Sequence, residues 1–405
     1  VNKIFVGFGF GAIQGGLFIP EAFKSGNFSR LVVSEIDQST VNQIRKAHGS
    51  YVCNVAESSY MRYEEISGLE IYNPLVPADR EKLLEAIASA NELCTALPSY
   101  TLYDSGEDPV ASLLAEGIQK KLNNNTLPPA VVYAAENDGR AAFRLSQACK
   151  KYLSSGFEER VSFSETVIAK MCSVVLDPDR ISDEKLREVT IGSQKSFLVE
   201  AYDQILIEER APCGFERGIT QFITKPDLDP FALTKFHGHN AIHYCLGLEA
   251  KERGLKFMHQ AAEDKELMKW AKETFVEEAG VGLRNKFKGF PDELFSEDGF
   301  INYAEDALAR MVNPFLRDPI ERVTRDPKRK LGWNDRLIGS IRFALVAGIN
   351  PWRMIDIAQK GLREIMSQFG LENPNDALDL VWEGATPIEE AKVVRKSILE
   401  SQLDV

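Results

Sequence analysis

Histidine is scarce in this chain of 405 residues. There are only five, so a window that holds three of them within seven positions stands out. Net positive charge is missing as well. At −12 the chain has no overall attraction for nucleic acid or an anionic membrane, which argues against both as main partners and leaves only a local anion pocket open. No apolar run reaches the roughly 20 residues of a membrane-spanning helix, and Val1-Asn-Lys opens no signal-peptide pattern. The six cysteines, at 53, 94, 149, 172, 213 and 245, form no C-x-x-C pair. That pattern suits reduced thiols, and the expectation is a cytoplasmic protein. The length suits two domains, and no internal repeat interrupts it.

What is present begins at once. Lys3-Ile-Phe-Val6 reads as a short strand and runs into Gly7-Phe-Gly9-Phe-Gly11-Ala12, a G-x-G-x-x-A loop followed by a helix from about Ala12 to Lys24. After a Ser25-Gly26-Asn27 break comes a second strand, Leu31-Val-Val-Ser-Glu35-Ile-Asp37. In a dinucleotide fold Gly7, Gly9, Gly11 and Ala12 let the backbone approach a pyrophosphate at the helix N-terminus. Glu35 or Asp37 would take the adenosine ribose hydroxyls, and an acid there favours NAD over NADP. Further strands are expected at Glu92 to Pro98 and Ala130 to Ala135. Thr95 and Ala96 would then sit at the cofactor edge, with Glu136-Asn137-Asp138 just beyond a strand's C-terminal end. Asn137 is a substrate candidate in that position, and Glu136 suits a helix N-terminal charge. Strand-like residues 161–171 close this part, and Asp177-Pro-Asp-Arg-Ile-Ser-Asp marks a boundary. The reading is an α/β chain, with a Rossmann-type dinucleotide-binding domain over 1–185 and a mainly helical substrate domain over 186–405.

In the second half Ser196 to Ile207 is strand-like, and from Asp229 the pattern turns helical. Helices are expected at about 230–253, 260–279, 302–312, 335–347, 351–369, 375–383 and 387–402. The first carries Lys235-Phe-His-Gly-His-Asn240-Ala-Ile-His243, with Asp229 as N-cap and Pro230 at its first position. At helical spacing Lys235, His239, Asn240 and His243 share an arc of roughly 140°, and His237 points away. A lysine with a lowered pKa can remove a proton near neutral pH. An amide and an imidazole beside it can hold the oxygen that gains charge. That trio suits a secondary alcohol losing a proton together with a hydride. The H-x-H-x3-H spacing also allows zinc, but no carboxylate or cysteine is near in sequence, and no metal is expected. Further on, Arg322, Arg325, Lys328, Arg329, Lys330 and Arg336 crowd around Asp326 and Asp335. Such a knot can bind a phosphate or carboxylate, or form a solvated charged loop.

Taken in order, these residues resemble the polyol-specific long-chain dehydrogenases, a family that includes mannitol 2-dehydrogenases, mannitol-1-phosphate 5-dehydrogenases and sugar-acid reductases. The resemblance spans nearly the whole chain. It rests on Gly7-Phe-Gly9, Glu136-Asn137, Thr166-Val-Ile-Ala-Lys-Met and Lys235-x4-Asn240-x2-His243. It continues through Arg310-Met-Val-Asn313-Pro314, Arg322-x7-Lys330-Leu and Asn334-Asp335-Arg336-Leu. It implies metal-independent, NAD-dependent interconversion of a polyol or polyol phosphate and its ketose. Lys235 would be the general acid/base, and Asn240 and His243 would hold the carbinol oxygen. Asn137 would meet the substrate near the hydride end, and Arg322 and Lys330 its far side. Arg329 and the neighbouring bases lean toward a sugar phosphate, and His239 shares the functional face. Ala169 stands where the family often has an aspartate, which puts the usual free-polyol specificity in question. The expected partner is a small polyol or ketose, the expected state a monomer. A catalytically silent dinucleotide-binding protein and a sugar-acid (uronate) reductase are the alternatives.

Overall fold

The computed structural model describes residues 3–106, 108–202, 204–382 and 387–400. Residue 383 and residues 401–402, the expected ends of the last two helices, lie outside that set, as do Val1 and Asn2. Two compact units divide after Asp229. The first therefore runs past the expected boundary at 185, because the strands between 196 and 225 pair with its sheets.

The strands of the first unit are β1 (Lys3–Phe8), β2 (Phe28–Ser34), β3 (Tyr51–Ala56), β4 (Met61–Ile66), β5 (Leu69–Tyr72) and β6 (Glu92–Thr95). They continue with β7 (Ala130–Ala134), β8 (Val161–Ile168), β9 (Cys172–Val175), β10 (Ser196–Glu200), β11 (Ile205–Glu208) and β12 (Phe222–Lys225). The large sheet has the order β12-β11-β8-β7-β6-β1-β2-β5, and a small one the order β4-β3-β10-β9. From β5 to β8 every pairing is parallel; β11 then joins β8 antiparallel. Helices α1 (Ile19–Ser25), α2 (Gln38–Lys46), α3 (Pro77–Ser89), α4 (Val110–Leu122), α5 (Ala141–Lys150) and α6 (Pro178–Asp183) make the crossovers and connections. A parallel sheet covered on both faces needs apolar side chains on both, and the chain supplies them by alternation. Phe5, Leu31, Val33, Val131 and Tyr133 pack with α1 residues and with Cys53, Val55, Phe197 and Val199 of the small sheet. Val6, Val32, Val132 and Ala134 face Leu83, Ile87, Leu114, Ile118 and Leu145 on α3 to α5. The strand order reverses between β6 and β1, so their C-terminal ends flank the crevice where such sheets bind ligands.

The second unit is helical: α7 (Asp229–Thr234), α8 (Asn240–Glu252), α9 (Lys265–Glu273), α10 (Gly280–Lys286), α11 (Glu297–Met311) and α12 (Ile320–Thr324), then α13 (Pro327–Lys330), α14 (Arg336–Val346), α15 (Trp352–Phe369), α16 (Pro374–Val381) and α17 (Ile388–Glu400). On α15 the buried residues Met354, Ile355, Ala358, Leu362 and Ile365 recur at three- and four-residue steps. They join Leu246, Phe275, Phe300, Leu337 and Ile341 in one core. Among the described residues no helix is long and apolar enough to cross a membrane.

Candidate active site

The expected cofactor edge lies in the first unit at the end of β1. Gly9 turns the chain with φ of 83°, its amide donates to the Ser34 carbonyl at 2.9 Å, and a Cβ there would lie 3.0 Å from the Ala96 oxygen. Gly9 and Ala96 thus meet where β1 and β6 end. At Gly11 a Cβ would meet nothing within 4 Å, so the loop has open space on that side. The loop's form suits a pyrophosphate approached by backbone. Glu35 follows β2 directly; Oε2 accepts from the Phe10 amide and Oε1 from the Asp37 amide, both at 2.8 Å. It ties the loop to the second strand. Asp37 goes elsewhere. It is the N-cap of α2, accepting from the Ser39 and Thr40 amides and the Thr40 hydroxyl, which hold its carboxyl below the ordinary range. Its expected role at the ribose therefore gives way to a capping role.

Two further expectations change at the strand ends. The Thr95 side chain is fully buried, and its hydroxyl donates to Glu136 at 3.0 Å rather than facing a cofactor. Glu136 also accepts from the Leu97 amide at 2.9 Å and from the Tyr103 hydroxyl, while burial pushes its carboxyl up. It is a buried brace between β6 and β7. The acid at the N-terminus of α5 is instead Glu165 on β8, which accepts from the Ala142 and Phe143 amides. Asn137, next after Glu136, is exposed.

In the second unit the helix carrying the lysine is not a plain α-helix. Between α7 and α8, residues Lys235–His239 form a π turn, and the Asn240 amide donates to the Lys235 carbonyl. A five-residue step spans about 140° around an α-helix, but in a π turn residues i and i+5 are the bonded pair one above the other. Lys235 and Asn240 therefore share one strip, with His243 three residues further on the same side. Lys235, Asn240 and His243 are partly exposed.

His239 lies among them but is buried, 6% exposed. Burial, Arg310, and neighbouring His243 and Lys235 hold its imidazole well below the usual value. It is a neutral packed ring, 6.2 Å from that of His243. His237 is buried too, its imidazole lowered to about 4 by burial, with Nδ1 3.3 Å from the Arg336 carbonyl. It fills the space over Gly339 of α14, where a Cβ would sit 2.1 Å from the ring. Gly339→Ala is accordingly expected to lower stability by about 1–3 kcal/mol through overpacking and to displace the π turn. Urea unfolding measures this; a wild-type midpoint would show that the His237 contact does not fix the turn.

One carboxylate that the sequence reading passed over joins this group. Asp318 is 4% exposed, with Oδ2 3.3 Å from His243 Nε2. It also takes a two-pronged contact from Arg322, Nε to Oδ1 at 2.6 Å and Nη2 to Oδ2 at 2.5 Å. Burial alone would raise its pKa, but the nearby His243 imidazole and the Arg322 guanidinium outweigh that and hold it at about 2. The signal was legible as Asp-x3-Arg, the i,i+4 spacing of a helical ion pair.

The basic knot is largely satisfied from within. Arg322 is taken by Asp318, Arg329 by Asp326 at 2.9 Å, and Arg336 by Asp335 at 2.9 Å. Lys330, expected to face substrate, is 3% exposed, and its amine donates to the Val323 and Arg325 carbonyls over the Tyr244 ring. Burial lowers its pKa to about 8. It braces the end of α12, so of the expected far-side pair only Arg322 presents a substantial exposed side chain. Among the described residues no group of three or more His, Cys, Asp or Glu side chains is placed to hold a metal ion.

Residues 227–360 match the family model of the mannitol dehydrogenase C-terminal domain. Along 374 residues the chain is 25% identical to a mannitol-1-phosphate 5-dehydrogenase of Lacticaseibacillus casei, covering 92% of this chain and 88% of that protein. A Bacillus pumilus protein of the same name is 28% identical, with 90% and 92% covered. Among solved structures a D-sorbitol dehydrogenase in substrate-free form superposes with a TM-score of 0.77 at 13% identity, covering 98% of this chain and 92% of that one. The mannitol 2-dehydrogenase of Pseudomonas fluorescens, solved with NAD and D-mannitol, gives 0.68 at 11% identity, with 98% and 91% covered. These structures share the fold: a dinucleotide-binding domain followed by a helical one. In its C-terminal domain and along most of its length the chain is thus similar to mannitol dehydrogenases, polyol-specific long-chain enzymes.

Proposed function

We propose that this chain is an NAD-dependent dehydrogenase that interconverts mannitol 1-phosphate and fructose 6-phosphate, with Lys235 as general acid/base and Asn240 and His243 holding the reacting oxygen. The observation that carries it is the π turn, which stacks Lys235 over Asn240 and leaves His243 on the same side. In the reducing direction one hydride and one proton add across the ketose C=O. NADH supplies the hydride when bound; Gly7, Gly9, Gly11, Ala12 and Glu35, with the Ala96 backbone, would hold it. The Lys235 ammonium gives its proton to the oxygen as the bond to hydrogen forms at carbon. Donors from Asn240 and His243 offset the charge that builds on that oxygen. Arg322 would position the rest of the substrate.

The phosphorylated substrate is favoured by the names of the relatives, several of which are mannitol-1-phosphate 5-dehydrogenases. A specific observation favours a second reading, the free mannitol/fructose pair: three of the four arginines of the basic knot, Arg322, Arg329 and Arg336, already face Asp318, Asp326 and Asp335. NADH oxidation with fructose 6-phosphate and with fructose, side by side at neutral pH with EDTA, separates them. Turnover of the phosphate alone is expected. Turnover of fructose alone establishes the second reading. Failure of both, with a uronate reduced instead, moves the chain to the sugar-acid branch; NADH binding without turnover of any of them makes it a silent binder.

A further inference from the structure

We propose that Asp318 is the positioning residue of this site: one buried carboxylate fixes the His243 ring through Nε2 and clamps Arg322, so the imidazole and the guanidinium act as a unit. The inference rests on the proposed dehydrogenase reading for its catalytic consequence, but not for its geometry. Asp318 is the shared partner of two residues that the chemistry needs and that lie on different elements, His243 on α8 and Arg322 on α12. A histidine whose Nε2 faces a carboxylate keeps a proton there, so His243 donates to the substrate oxygen through Nδ1–H only as the doubly protonated ring, and the carboxylate fixes the direction in which it does so.

The backbone around Asp318 is built to hold it. Arg317 has φ of 40°, a left-handed conformation that a residue with a side chain adopts only when its surroundings impose it. The Asp318 carbonyl accepts from the Met258 amide at 2.9 Å, and the Ile320 amide donates to the Lys256 carbonyl at 3.0 Å. Phe257 and Pro319 form an isolated β-bridge between these bonds, and the Arg317 guanidinium lies 4.9 Å from the Phe257 ring centre. The segment before α12 is thus pinned to the one after α8, on both sides of the carboxylate. Lys235 and Arg310, both basic, act on the adjoining His239. Among the described residues Asp318 is the acid recorded in contact with His243.

Two measurements test this. Nitrogen-15 NMR of the wild-type protein, with the His243 signals assigned by their absence in His243→Gln, reads the tautomer directly. A ring protonated at Nε2 is expected, and a neutral ring protonated only at Nδ1 would overturn the inference even if the enzyme turns over as proposed. Kinetics of Asp318→Asn, Arg322→Ala and the double variant then test the unit. Asp318→Asn keeps the side chain's shape and is expected to lower kcat roughly 10–100-fold, the usual cost of losing a partner that orients a histidine, with NADH affinity unchanged. The double variant is expected to be no worse than the poorer single one. If the two losses multiply, Asp318 does not couple the two groups. If no ketose or sugar acid is turned over but the Nε2 tautomer is present, the geometry stands and the dehydrogenase reading falls. Should Asp318→Asn fail to fold, the wild-type tautomer still decides.

Discussion

Lys235→Ala is expected to slow reduction of whichever ketose the wild-type protein accepts by about 10²–10⁴-fold, the range for removing a positioned proton donor. The effect should appear in kcat. NADH affinity should hold, because the nucleotide loop belongs to a different unit of the chain. Asn240→Ala is expected to cost about 10²–10³-fold, as for a lost oxyanion donor. The double variant should fall well short of the product, since a donor to the oxygen has little to stabilise once no proton is delivered. Stopped-flow traces with NADH and the ketose, alongside NADH fluorescence titrations, separate chemistry from binding. A Lys235→Ala protein within a few-fold of wild type would end the general-acid assignment, whatever the substrate proves to be.

How much of this could be read from the sequence differs by kind of signal. The first strand, glycine loop, helix and second strand were legible because each element has a local cause: an apolar run, glycines at a tight turn, an acid at the strand end. The helices of the second unit were legible for the same reason, since Pro, Gly and Asn punctuate them and their buried faces repeat at three and four residues. What escaped depends on tertiary choice. No spacing rule says that Asp37 caps α2 while Glu35 binds the loop amide; either acid fits either role until α2 is placed. The small sheet joins β3 to β10 across more than a hundred residues, and local pattern cannot foresee that pairing. This is also why the domain boundary shifted to 229.

The proposed catalytic set shows the same division. Lys235, Asn240 and His243 were named from residue type and order, but an α-helix would have left the first two about 140° apart. The π turn that brings them into one strip is a tertiary feature, packed through His237 against Gly339. Lys330 and Arg329 looked like free bases because sequence shows charge and not partners. The carbonyls of Val323 and Arg325 and the carboxylate of Asp326 take them. Asp318 escaped for the converse reason: the Asp-x3-Arg spacing shows an ion pair with Arg322 but not that the acid is buried and also faces His243.

Gly9→Ala should damage both the fold and the cofactor site, and comparison with Gly11→Ala shows why. At Gly9 the φ of 83° costs a residue with a side chain about 1–2 kcal/mol. The added methyl would also lie 3.0 Å from the Ala96 oxygen and 3.2 Å from Leu97 Cδ2. Ala96 is held by its amide's bond to the Phe8 carbonyl, 3.0 Å long, so the loop rather than β6 must give. A shifted loop points its amides away from the pyrophosphate, and each 1.4 kcal/mol of lost contact is about tenfold in affinity. Gly9→Ala is therefore expected to unfold at lower urea and to bind NADH at least about tenfold more weakly. Gly11→Ala meets no protein atom and has no positive φ to strain, so its urea midpoint should stay near wild type. Its methyl would instead enter the space assigned to the cofactor, and NADH affinity should fall without loss of stability. If Gly11→Ala binds NADH normally while Gly9→Ala only loses stability, these glycines serve the turn alone and the pyrophosphate lies elsewhere.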